Sequence, residues 1–256
     1  EREIAELEGI LGSKTKVQKI IIKELEAVAQ KYGQPRRTMI LYADEVEEAE
    51  IVEEVPDYPV NLFFTKEGYF KKITPQSLRM SGEQKLKEGD EIVQQVEDQN
   101  NAELLFFTDK CQVYKMKAAD FSDTKASVLG EYIPAKAQMD EDEHAVYMAV
   151  THDYDGYVLF LFENGKAAKV EMSAYATKTN RKKLLNAYSD KSPLVAALYL
   201  KEDQELLLTA SSGRMLLFHT GLIQPKATKN TQGVQAMTLK RGQRLMSVRL
   251  YEEGML

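Results

Sequence analysis

The sequence predicts a mainly β fold, a propeller-like array of four-stranded blades preceded by a short two-helix segment, and three observations predict it. A stretch from Val60 to Ile73 recurs at 103–117, 157–171 and 205–218, each time as an apolar strand, a turn and a second strand. Aligned on Gly68, Cys111, Gly165 and Gly213, successive copies lie 43, 54 and 48 residues apart, the period of a propeller blade and not of a helical repeat. Ahead of the first copy, apolar residues fall instead at the i, i+3, i+4 spacing of helices. The first arm of each hairpin is too apolar to stand alone, so neighbouring copies must stack to bury it.

In chain order, Ile4, Leu7, Ile10 and Leu11 form the stripe of a first helix that stops near Gly12. Ser13 is a suitable N-cap for a second helix, whose stripe is Val17, Ile20, Ile21, Leu25 and Val28 and whose end is marked by Gly33 and Pro35. Such a stripe needs a partner, expected in another domain outside this chain. Residues 44–57 carry eight acids and no base, which reads as a solvated linker, with Ile51, Val52 and Val55 available as a first strand of blade one. The expected division is a helical segment at 1–37, an acidic linker and entry strand at 38–59, and the β array at 60–256. Apolar strands at 91–97, 145–151, 194–201 and 245–251 are each expected to start a blade, the first three passing through a polar turn into the next hairpin. Four repeats are a minimum.

Composition narrows the function. The 256 residues are 43% hydrophobic, and no apolar run approaches the roughly 18 residues that span a bilayer. The opening Glu1, Arg2, Glu3 is unlike a signal peptide, and the single cysteine fits a reducing compartment, so a cytoplasmic, membrane-free setting is expected. Cys111 reads as a small turn residue. Enzyme signals are missing: His144, His152 and His219 are too dispersed for a metal centre, and no glycine-rich phosphate loop occurs. The acids at 140–143 read as a solvated loop, since they lack the spaced carbonyls a cation needs. No catalytic residue, metal site or cofactor is nominated. The net charge of −6 is unevenly placed: residues 1–57 hold 8 bases and 14 acids, residues 58–150 hold 11 and 16, and residues 151–256 hold 15 and 10. The last part is basic on an acidic background, where a polyanion can be held.

Residues 4–40 carry a resemblance. Ile10-Leu11-Gly12-Ser13, the pair Glu24-Leu25, and Tyr32-Gly33 followed by Arg36-Arg37-Thr38 match the segment that leads from the coiled coil to the C-terminal domain in bacterial type IIA topoisomerase A subunits, both gyrase A and topoisomerase IV A. The repeats after residue 60 are similar to that family's C-terminal blades. The resemblance implies a β-pinwheel that binds and bends double-stranded DNA around its rim. Its implied partners are the duplex, the rest of the A subunit and the ATPase B subunit. ATP and magnesium belong to the whole enzyme, and the DNA-cleaving tyrosine lies in a preceding domain. One departure matters: the region matching the gyrase box, Ser81-Gly82-Glu83-Gln84-Lys85, has one glycine, one glutamine and an intervening acid. Relaxation or decatenation, with weak or no wrapping, is the activity this implies, and topoisomerase IV or a paralogue the better match.

A DNA rim needs cations spaced along a curved surface, each neutralising a phosphate. Just after the hairpin turns stand Lys71 and Lys72, Lys115 and Lys117, Lys169, and Arg214. The long connections add Lys178, Arg181, Lys182 and Lys183, then Lys226, Lys229, Lys240, Arg241 and Arg244. Lysines on strands also serve to blunt β-edges. A second class of function fits the array as well, a protein-interaction propeller whose basic stretch docks an acidic partner.

Overall fold

A computed structural model of the chain describes residues 2–34, 56–80, 83–177 and 181–252. The chain divides into two compact units, Glu1–Val52 and Glu53–Leu256. In the first, α1 (Arg2–Leu11) and α2 (Lys14–Tyr32) meet the sequence expectation, with Ser13 and Gly33 as the cap residues of α2. No residue of either helix is buried, and Leu7, Leu11, Ile22 and Leu25 are each more than half exposed. The strand expected around Ile51, Val52 and Val55 lies outside the described residues.

The second unit is built from β1 (Pro59–Thr65), β2 (Tyr69–Ile73), β3 (Ile92–Gln99), β4 (Glu103–Thr108), β5 (Val113–Lys117), β6 (Glu131–Tyr132), β7 (Ala145–Thr151), β8 (Tyr157–Phe162), β9 (Lys166–Glu171), β10 (Lys183–Leu184), β11 (Leu194–Leu200), β12 (Glu205–Ala210), β13 (Met215–His219), β14 (Val234–Gln235) and β15 (Leu245–Leu250). These strands form four antiparallel blades in a propeller-like arrangement, ordered β3-β1-β2-β6, β10-β5-β4-β7, β11-β8-β9-β14 and β13-β12-β15. The hairpins are β1-β2, β4-β5, β8-β9 and β12-β13, joined at the turn residues the sequence marks. Gly68, Gly165 and Gly213 have φ near +80°, and Cys111 adopts φ 56°, so the cysteine fills a glycine-type turn.

Blade membership differs from the expectation in two ways. Each apolar strand completes the blade of the hairpin before it: β3 pairs with β1, β7 with β4, β11 with β8 and β15 with β12. The polar turns therefore cross between blades. The long connections also do not run straight on. After each of the later hairpins the chain steps back to supply the outermost strand of the preceding blade, so β6 lies on β2, β10 on β5 and β14 on β9. In two of these returns a glycine permits the approach: a Cβ on Gly130 would lie 2.3 Å from the Phe70 carbonyl oxygen, and one on Gly233 2.2 Å from that of Ala167. Among the described residues blade four has three strands.

The core lies between blades. Leu104 and Phe106 pack with Val60, Leu62, Phe64 and Phe70 of blade one, whereas Leu105 and Phe107 pack with Val158, Phe160 and Phe162 of blade three. Leu159 and Leu161 in turn meet Leu206 and Leu208 of blade four. The strands nearest one another in successive blades are also stitched by side chains: the Gln94 amide exchanges hydrogen bonds with the Met148 backbone at 2.8 and 2.7 Å, and the Tyr199 N–H donates to the Tyr147 hydroxyl at 2.6 Å. Glu143 departs from the solvated loop expected at 140–143: it is buried, accepting from the hydroxyls of Thr108 and Tyr114.

Phe106→Ala would empty the contact between blades one and two. It is expected to destabilise the second unit by about 3–5 kcal/mol in urea unfolding. A loss under about 1 kcal/mol would show that the blades do not depend on each other there.

Candidate nucleic-acid interface

Lys72, Lys115 and Lys169 occupy one position of the repeat, each cross-strand from a leucine of the first arm: Leu62, Leu105 and Leu159. All three turn inward toward a tyrosine and a carboxylate. In blade one, Lys72 Nζ lies 2.6 Å from Asn100 Oδ1 and 3.3 Å from Asp123, over the ring of Tyr58, whose hydroxyl donates to the same aspartate. In blade three, Lys169 Nζ lies 2.7 Å from Asp203 and 3.8 Å from the Tyr157 ring centroid. Lys169 and the Thr220 hydroxyl hold Asp203 down at about 2, while burial and then Asp203 push the Tyr157 hydroxyl up to about 12. In blade four the same position is Leu217, opposite Leu207.

The outward face expected for the hairpin lysines is therefore corrected at three positions. Lys72 and Lys169 are 3% exposed, with ammonium groups that already hold their counter-charges. Lys71 is 1% exposed and donates to Lys85 O at 2.6 Å, Gln84 Oε1 at 3.1 Å and Ala126 O at 3.3 Å, and burial lowers its pKa. Removing a buried ammonium from such partners to reach a phosphate costs several kcal/mol.

Blade two is different. Lys115 is partly exposed, its carboxylate Glu103 stands off at 3.8 Å, and the Glu103 side chain is engaged by the Tyr154 hydroxyl. The returning segment beside β5 is tied by the Lys115 N–H donating to Lys182 O at 2.7 Å, which brings exposed Arg181 and Lys182 alongside Lys115 and Lys117. Lys183 departs from the expected free cluster: it pairs with Asp140 at 2.7 Å over the Tyr114 ring, and these partners raise its pKa. Lys178 lies outside the described residues.

Further along, the Lys226 N–H donates to Lys169 O, placing exposed Lys226 on the outer edge of blade three; Lys229 follows in the same connection, half-buried. The equivalent edge of blade one carries Asp123 and Thr124, the latter bonded through its N–H to Lys72 O. At the tip of blade four, the Ser211 N–H donates to Arg244 O, and the Arg214 guanidinium donates to Thr238 O. Arg214, Lys240, Arg241 and Arg244 thus surround one turn, all exposed, with Arg244 3.9 Å from Glu163. Sequence reasoning found the cations but not which edge each would reach, because the backward step of the connections leaves no mark in local pattern.

The family model described as DNA gyrase C-terminal domain, beta-propeller, matches residues 102–127 and 204–251. The gyrase A subunit of Borreliella burgdorferi is 23% identical over 98% of this chain and 32% of its own length; the topoisomerase 4 A subunit of Bacillus subtilis is 29% identical over 80% of this chain and 25% of its own. This chain therefore spans between a quarter and a third of those relatives. Among solved structures, the C-terminal domain of DNA topoisomerase IV superposes with a TM-score of 0.65 at 26% identity, covering 77% of this chain and 62% of that one. The E. coli ParC C-terminal domain superposes at 0.57 with 16% identity, over 75% of this chain and 79% of that one, a likeness of fold. The chain is thus similar to the C-terminal domains of gyrase A and topoisomerase IV A subunits in sequence and in fold.

The Lys169, Asp203 and Tyr157 cluster of blade three should report itself in acid. Asp203 has a folded pKa held below its ordinary value, so its contribution to stability is present above about pH 4 and is lost as pH falls through about 2. Thermal melts from pH 5 downward should therefore show a steeper loss in the wild type than in Asp203→Asn. Parallel acid curves would mean that Lys169 and Asp203 are not coupled.

Proposed function

We propose that this chain is the DNA-binding and DNA-bending domain of a type II topoisomerase A subunit, positioning a duplex segment for strand passage during supercoil relaxation or decatenation. One observation carries the reading. Among the described residues, Lys117, Arg181, Lys182, Lys226, Lys240 and Arg241 are exposed with no carboxylate within ion-pair distance, whereas the hairpin lysines that could not reach a phosphate are neutralised inside. Exposed unpaired cations on strand edges release counterions when they meet phosphates, which is the main source of non-specific DNA affinity. The acidic partner on the blade-one edge confines the attraction to the later blades. No helix of the described residues is long and apolar enough to cross a membrane. The domain acts without catalysis or cofactor of its own in a cytoplasmic, nucleoid-associated enzyme, with ATP and magnesium used in the rest of the A subunit and the B subunit.

Two measurements test this. Linear duplex should bind at about 50 mM salt and lose affinity steeply toward about 200 mM, and the double variant Lys240→Gln, Arg241→Gln should lower the log–log slope by up to about two units. No binding at the lower salt would remove the proposal. Because the gyrase-box pattern is missing, a relaxed circle incubated with this chain and a type I topoisomerase should keep its linking number; a shifted ladder of topoisomers would demonstrate wrapping.

A further inference from the structure

Beside β5 the structure has a cavity of about 300 Å³ whose lining includes Lys115, Met116, Lys117, Thr177, Arg181 and Lys182. Four of these are cations, brought from two separated stretches of chain by the backward step that lays 181–184 on β5. The carboxylates at its margin are Glu103 and Asp120. Asp120 accepts the Lys117 backbone N–H at 2.9 Å, and Glu103 accepts the Tyr154 hydroxyl, so each carboxylate has a donor that is not one of the four cationic groups. Lys115 is the member of the inward lysine set whose counter-charge is incomplete. Its Nζ lies 3.2 Å from Thr177 Oγ1 and 3.8 Å from Glu103, against 2.7 Å between Lys169 and Asp203. Burial lowers its pKa, and an anion at the cavity would act in the opposite direction by favouring the charged form.

We infer that this cavity seats one phosphodiester group, held jointly by Lys115, Lys117, Arg181 and Lys182, and that it anchors the bound duplex at blade two. The inference rests on the DNA-binding reading. Glu103 and Asp120 at the margin disfavour additional negative charge beside the seated group. Arg181 supplies a planar fork for two phosphate oxygens, Lys117 and Lys182 supply point charges, and Lys115 donates from the floor. A lone anchor of this kind fixes the register of a duplex without reading its sequence.

The test is whether these cations share a single phosphate. Duplex affinity is measured between about 50 and 200 mM salt for Lys117→Gln, Arg181→Gln and the double variant, with Lys240→Gln as a separate site. Each single pocket variant should weaken binding, and the double should weaken it further while lowering the slope by no more than about 0.9 in total; the effect of Lys240→Gln combined with either is additive. A double variant that loses about 1.8 means two separate phosphates and overturns the pocket, leaving DNA binding intact. Unchanged duplex affinity in the pocket variants, with a lowered affinity in Lys240→Gln, also overturns it. If the wild type binds no duplex, the DNA reading fails, and inorganic phosphate titrated against the chain decides the cavity. Saturable shifts of the Lys115, Lys117 and Lys182 amides sustain an anion site; their absence ends it.

Discussion

The structure depends on four first-arm strands that are apolar on both faces. A strand with one wet face alternates in polarity, whereas Leu104, Leu105, Phe106 and Phe107 run without interruption because even and odd residues enter different cores. Phe106 packs at a tilt 5.7 Å from Phe64 of blade one, and Phe107 packs edge-on 5.5 Å from Phe160 of blade three. The inner blades bury their two faces against neighbours on both sides, whereas Phe63 on the other face of blade one packs with Ile73, Leu78, Ile92 and Ala126. Burial between blades, at roughly 25 cal/mol per Å² of apolar surface, therefore orders the whole array and not each hairpin separately.

That constraint interacts with a second one, the outer edge. A sheet that ended at β2, β5 or β9 would present unpaired backbone groups to solvent. The returning strands satisfy these edges, and each belongs to the connection that follows the next hairpin. Adjacent blades are thereby interlocked, and the residues on a blade's rim are drawn from a later part of the sequence. The rise in basic character toward the end of the chain is displaced backward by one blade. Asp123 lies on the rim of blade one, while Lys182 and Lys226 lie on the rims of blades two and three.

Much of this was legible from residue order. The helical stripes with Ser13 and Gly33 at their ends, the four hairpins and their turns, and the apolar strands at 92–99, 145–151, 194–200 and 245–250 are all where periodicity and turn chemistry put them. Blade membership was not legible, because antiparallel pairing of β3 with β1 or with β4 satisfies the same alternation of residues. The two-residue strands β6, β10 and β14 are too short to carry a period. For the same reason the site was legible as a set of cations but not as a surface: a lysine's sequence neighbours do not say whether Tyr157 and Asp203 will close over it.

The inward lysines show how one residue type serves two purposes in a repeat. At the position opposite Leu62, Leu105 and Leu159, the stem lies against the blade and the ammonium meets an aromatic face and a carboxylate, an arrangement that tolerates low exposure. Where the carboxylate is close, as in blades one and three, the buried ammonium meets its counter-charge within the protein. Where it is held away by a competing hydroxyl, as Tyr154 holds Glu103, the ammonium keeps part of its field for an outside anion. Blade four abandons the position to Leu217 and carries its cations on the turn instead. Ammonium and carboxylate stand 3.3 Å apart in blade one and 2.7 Å in blade three but 3.8 Å in blade two, so the internal attraction is weakest where the lysine side chain is also most exposed.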